Sequence, residues 1–144
     1  MIHKIFNIQK QQLINKQVKL GIVEIWDAVA NILKVFEPVE LMELEAKYTI
    51  NDPIKTIKFL KENKDVFNIL TTEAYDEIRK YFPNEELILD VLTDPESDDQ
   101  IMVLYINTKL KPQEALKKLK ELDENWWLGK ASRNNNLCIH LQIA

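Results

Sequence analysis

Cysteine, glycine and arginine are scarce in this chain: one Cys, two Gly and two Arg in 144 residues. A lone thiol, Cys138, excludes an internal disulfide and a cysteine metal cluster. Two arginines against 17 lysines leave little capacity for bidentate recognition of phosphate or base edges. A glycine-rich phosphate cradle is missing too. No apolar run reaches the length of a membrane helix, and no secretory signal is read at the start. The expectation is therefore a soluble, cytoplasmic protein that does not enter a membrane. What is present is 46% hydrophobic and 29% charged residues, which excludes a wholly disordered chain. The length suits a single domain, 1–144, with a soft internal boundary near Pro83.

Charge is distributed in blocks. Residues 1–36 hold five Lys against Glu24 and Asp27, residues 37–107 hold 17 acids against seven bases, and residues 108–144 hold seven bases against four acids. An acidic middle repels phosphate backbones and favours a cationic partner, although an unbalanced surface also serves solubility alone.

Hydrophobic spacing divides the chain. Ile2, Ile5, Phe6 and Leu13 give 3–18 a weak amphipathic pattern, suited to a docking helix or an arm. Ile22, Ile25, Trp26, Val29, Leu33 and Phe36 recur near helical spacing, and Glu37-Pro38 is a stop signal. Over 39–50 the helix formers predict a helix at 39–46, while the alternation of Met42, Leu44, Ala46, Tyr48 and Ile50 leaves a strand open. Asp52 can cap a helix that Pro53 opens, with Ile54, Ile57, Phe59 and Leu60 inward. Asn63 interrupts, and a short helix carries Val66, Phe67, Ile69 and Leu70. Thr71 or Thr72 restarts the pattern with a weak cap, and Ala74, Ile78, Tyr81 and Phe82 form a stripe ending before Pro83.

Beyond Pro83 the period changes from helical to alternating. Leu87, Leu89 and Val91 predict one strand and Ile101, Val103 and Tyr105 a second, joined as an antiparallel hairpin by six residues, Asp94 to Asp99. Pro112 opens a helix with Ala115, Leu116, Leu119 and Leu122 inward, and Gly129 falls soon after its end. Leu137, Ile139, Leu141 and Ile143 mark a last strand. The fold class expected is α+β: a helical N-terminal half and a small mixed β-β-α-β sheet covered on one face by helices. Its exposed edge invites a partner or a second chain.

Four groups of residues are candidates for function. Asp94, Glu96, Asp98 and Asp99 place four carboxylates in six residues, with Asp90 on the preceding strand. Hard cations such as magnesium take oxygen ligands, but the spacing lacks the Gly and terminal Glu of a calcium loop, and acids at a hairpin tip are ordinarily solvated. His140 stands two residues from Cys138 on a strand, roughly 7 Å away by strand rise. A thiolate–imidazole dyad needs about 3 Å. Adjacent Trp126 and Trp127 point in different directions; the first expectation is that both close the bottom of a small core, and the alternative is that one closes the core while the other anchors a surface contact. Arg133-Asn134-Asn135-Asn136 reads as a loop before the last strand.

Tyr81-Phe82-Pro83, Asp94-Pro95-Glu96, Leu104-Tyr105-Ile106-Asn107-Thr108, Pro112 through Leu122 and Trp126-Trp127-Leu128 together resemble a family of small, largely uncharacterised bacterial proteins. The likeness spans about residues 59–144. It implies a shared architecture and transfers no catalytic residue. The functional expectation is a non-enzymatic interaction or regulatory module without a cofactor, the acidic partner of another small protein or a homo-oligomer. The competing expectation is a metal-assisted hydrolase in which Asp90, Asp94, Glu96 or His140 converge on magnesium or another divalent ion.

Overall fold

The computed structural model of the chain describes residues 38–131 and 136–144. The amphipathic stretches at 3–18 and 22–36 lie outside the described residues, as do Arg133, Asn134 and Asn135. Helix α1 (Pro38–Lys47) opens on Pro38, where a missing N–H has no intrahelical partner to lose. Leu41 and Leu44 are its buried side. The helix expected at 39–46 is present, and of the alternating run only its last residues become a strand. Tyr48 N–H closes the last turn onto the Leu44 carbonyl at 2.9 Å, and the two-residue strand β1 (Thr49–Ile50) follows.

Helix α2 (Pro53–Glu62) starts as its sequence dictates: Asp52 Oδ1 accepts the Lys55 N–H at 3.2 Å, and proline sits in the first turn. Thr56, Ile57, Phe59 and Leu60 are buried, whereas Ile54 is exposed. At 100° per residue Ile54 falls about 140° round the helix from Phe59, away from the core. Asn63 ends the helix, its side-chain amide donating to the Phe59 carbonyl at 2.9 Å.

Helix α3 (Lys64–Ile69) does not stop at the threonines. It passes through a π-helical turn, Leu70–Ala74, into α4 (Tyr75–Arg79). Thr71 and Thr72 cap nothing; their hydroxyls donate back to the Phe67 carbonyl at 3.0 Å and the Asn68 carbonyl at 2.7 Å. The widened turn shifts the phase of the buried stripe, so adjacent Ile69 and Leu70 are both inside, followed by Ala74 and Ile78.

Strands β2 (Glu86–Thr93), β3 (Gln100–Thr108) and β4 (Leu137–Ile143) join β1 in one mixed sheet of order β1-β2-β3-β4. β1 is parallel to β2, β2 antiparallel to β3, and β3 parallel to β4. The hairpin connection is the expected six residues, and the register sets Leu89 opposite Leu104 and Leu104 opposite Ile139. The fold is α+β, with β1 as an additional edge strand.

Helix α5 (Pro112–Leu122) links β3 to β4, running on through a second π-helical turn, Asp123–Trp127, and the short α6 (Leu128–Ala131). Ala115 and Leu122 are buried, but Leu116 is 59% exposed. Residues 115, 119 and 122 form a narrow stripe, and Leu116 lies off it. Gly129 does not end the helix; it lies within α6.

One hydrophobic cluster takes Leu87, Leu89 and Val91 from β2, Met102, Leu104 and Ile106 from β3, and Leu137 from β4. It is completed from both sides of Pro83 by helical residues, including Leu44, Leu60, Leu70 and Leu122, and by Phe82 beyond the end of α4. The helices thus cover the sheet face of these alternate positions. Burying one such leucine contributes about 2 kcal/mol. Among the described residues, no helix is long and apolar enough to cross a membrane.

Candidate functional site

The remaining positions of the strands form the opposite face. Its rows run Ile88, Tyr105, His140 and then Asp90, Val103, Cys138 across β2, β3 and β4, with Leu92 beside Ile101 at the hairpin end. Val103 is only 4% exposed yet stands outside the core cluster, which draws on the sheet's other side. Ile88, Asp90, Ile101, Tyr105 and Cys138 are half-buried, and His140 is exposed.

His140 stacks loosely beside Tyr105, their ring centres 6.5 Å apart and tilted by 52°. Asp90 and His140 lie two strands and one row apart, which places them about 12 Å from each other on strand spacings. The hairpin carboxylates stand farther along the sheet. Among the described residues, no three His, Cys, Asp or Glu side chains gather as a metal-ligand set. The convergence required by a metal-assisted hydrolase is therefore not formed by Asp90, Asp94, Glu96 and His140.

Asp94, Glu96, Asp98 and Asp99 are all exposed on the β2–β3 connection. The turn is held by its own hydrogen bonds. Asp94 N–H donates to the Asp99 carbonyl at 2.8 Å, and Asp98 N–H to the Asp94 carbonyl at 2.9 Å. Asp94 Oδ1 also accepts the Glu96 N–H at 2.8 Å, an Asx turn. Asp98 takes a left-handed backbone, φ 61°, where a short polar side chain is tolerated better than a bulky one. The carboxylates therefore project from a fixed loop.

At the root of this loop is an open recess of about 470 Å³ lined by Leu92, Thr93, Asp94, Asp99, Gln100, Ile101 and Asn136. Its lining joins two apolar side chains, Leu92 and Ile101, to two carboxylates, Asp94 and Asp99. Sequence reasoning found the acids but not their apolar neighbours. Leu92 is 42% exposed, and the signal was there: an apolar pair, Leu92 opposite Ile101, immediately flanking a polar turn. Asn136 comes from the far end of the chain. Its backbone carbonyl accepts Met102 N–H at 2.9 Å, and its amide donates to Asn63 Oδ1 at 2.7 Å.

The tryptophans follow the first of their two readings, in which both close the core. Both Trp126 and Trp127 are buried in the core, with ring centres 5.4 Å apart. Neither stands out as a surface anchor. Successive side chains lie about 100° apart on a helix, and a broad apolar stripe takes in both rings, as it does Phe59 and Leu60 on α2.

Comparisons with protein-family models, with curated proteins and with solved structures return no match to this chain.

Proposed function

We propose that the chain is a cytoplasmic protein-interaction module that receives a cationic segment of another protein at the acidic hairpin. The observation that carries this reading is the recess itself, which Leu92 and Ile101 line together with the carboxylates of Asp94 and Asp99. A lysine or arginine side chain has the same division, an aliphatic stem and a charged head. The stem would lie on the apolar pair and the head would reach the carboxylates, with Glu96 and Asp98 drawing neighbouring cations. Exposed ion pairs each contribute about 0–1 kcal/mol, so binding needs several of them and weakens with salt. A protein partner suits this surface better than a nucleic acid, because the acidic block of 37–107 repels phosphate. The family resemblance over 59–144 adds no activity, so the reading rests on this surface.

The test is a titration of the isotopically labelled full chain with a peptide of alternating lysine and leucine, followed by amide NMR. Salt-reversible shifts confined to 92–101 and Asn136, and absent with an alternating glutamate–leucine peptide, are expected. Equal responses to both peptides, or shifts centred elsewhere, overturn the reading.

A further inference from the structure

We propose that the outer edge of β4 is a dimerisation surface, on which a second copy of this chain pairs antiparallel through its own β4, about a two-fold axis at His140. This proposal stands apart from the reading of the acidic hairpin and does not depend on it.

The sheet has two edges, and they are built differently. β1 is two residues long, and so short an edge offers little for another chain to pair with. β4 runs for seven residues, Leu137-Cys138-Ile139-His140-Leu141-Gln142-Ile143, and among the described residues it pairs with β3 alone. Its sequence holds none of the proline, lysine or carboxylate side chains that commonly guard an edge. Its register with β3 is unbroken from Leu137 to Ile143, so no bulge turns the edge away.

The hydrogen bonds fix which main-chain groups face outward. The Asn136 carbonyl accepts Met102 N–H at 2.9 Å, and Ala144 N–H donates to the Thr108 carbonyl at 2.8 Å. Alternate residues of a strand address the same neighbour, so the even-numbered residues of β4 turn their main chain to β3. Leu137, Ile139, Leu141 and Ile143 turn theirs to the outer edge. An antiparallel pair that exchanges both hydrogen bonds joins two such outward-facing residues. An axis at His140 sets Leu137 opposite Ile143 and Ile139 opposite Leu141 of the second copy, and every outward N–H and C=O of the strand is met. Moving the axis to Ile139 or Leu141 leaves Ile143 or Leu137 without an opposite residue in the strand.

The side chains agree with this register. Leu137 belongs to the core cluster, and Ile139 and Leu141 are partly buried against it. Ile143 lies on the same face of the strand and is 48% exposed. Pairing lays Leu137 beside Ile143 and Ile139 beside Leu141, which continues the apolar row across the axis. On the other face Cys138 meets Gln142 and His140 meets His140, so no carboxylate or ammonium group is set against its like.

The full chain at about 100 µM should sediment at equilibrium with twice the mass of one chain. His140→Glu sets two carboxylates face to face at the axis and should weaken association roughly tenfold or more, with its circular dichroism unchanged. A monomeric wild type overturns the proposal, and so does a folded His140→Glu chain that associates as the wild type does. Gln142→Cys tests the register independently of that variant's folding. It sets a thiol opposite Cys138 of the second copy in a non-hydrogen-bonded pair, about 4.5 Å between Cα atoms and within reach of a disulfide. Along one strand the two positions are roughly 13 Å apart and cannot join within a chain. Oxidised glutathione should therefore convert Gln142→Cys to a covalent dimer and leave the wild type unlinked. A dimer that Gln142→Cys does not lock has its interface elsewhere, and equal linking of the wild type denies the register; either result overturns the proposal.

Discussion

The phenolic hydroxyl of Tyr48 donates to the main-chain carbonyl of Leu70 at 2.7 Å, where the helix from Lys64 widens into its π-helical turn. The buried tyrosine thus brings a donor to the π-helical turn from α1's end of the chain. Tyr75 meets the Tyr48 ring edge-on at 6.2 Å, and the Lys47 and Arg79 cations lie 5.5 Å and 4.9 Å from the Tyr75 ring centre. This knot ties the first helix, the edge strand and the π-helical turn together.

Tyr48→Phe keeps the ring and removes the bond. The expected loss is about 1–2 kcal/mol, because the buried Leu70 carbonyl is left without its donor. Urea denaturation at neutral pH measures it.

Burial raises the Tyr48 pKa far above the ordinary tyrosine value, with the nearby Asp76 carboxylate adding to the rise. The folded chain therefore keeps this proton at a pH where the unfolded chain releases it. The contribution is fully present below about pH 10 and falls away as the pH climbs beyond it. Alkaline denaturation should reduce stability more steeply in the wild type than in Tyr48→Phe. Parallel pH profiles for the two proteins would contradict this origin.

The caps and turns of this chain were legible because their chemistry is local. Asp52-Pro53 needs no knowledge of the rest of the fold to start a helix, and Asp52→Ala should cost about 1 kcal/mol in thermal or urea unfolding. The six-residue hairpin connection was legible for the same reason. The two π-helical turns were not. Each inserts a phase shift that the 3.6-residue period does not contain, so Thr71 or Thr72 was read as a restart of the helix. The recess was illegible because Asn136 joins Leu92 and Ile101 only after β4 has paired with β3.

Leu116 and Leu122 separate the observed face of α5 from the expected one. Leu116→Lys should change stability by no more than about 0.5 kcal/mol, since the side chain already faces water. Leu122→Ala should cost about 2–5 kcal/mol through the cavity it leaves in the core. Comparable losses at both positions would place the helix in another orientation.

Asp98 tests the geometry of the acidic loop independently of any partner. At φ 61°, Asp98→Gly relieves backbone strain and should stay within about 0.5 kcal/mol of the wild type or gain slightly. Asp98→Ala should lose about 1 kcal/mol, because a Cβ without a compensating polar group disfavours this conformation. Differential scanning calorimetry of the two variants side by side distinguishes them.

The most direct measurement recovers the full chain from its native cells at its native level, as wild type and as Glu96→Lys/Asp99→Lys, and weighs the complexes that come with it. Circular dichroism first establishes that the variant is folded. A partner in fixed stoichiometry with a lysine- or arginine-rich segment, held by the wild type, released by roughly 0.5 M salt and lost from the variant, is the result expected. Identical company for both forms, or a wild-type chain that emerges alone, would contradict a cationic partner at the hairpin.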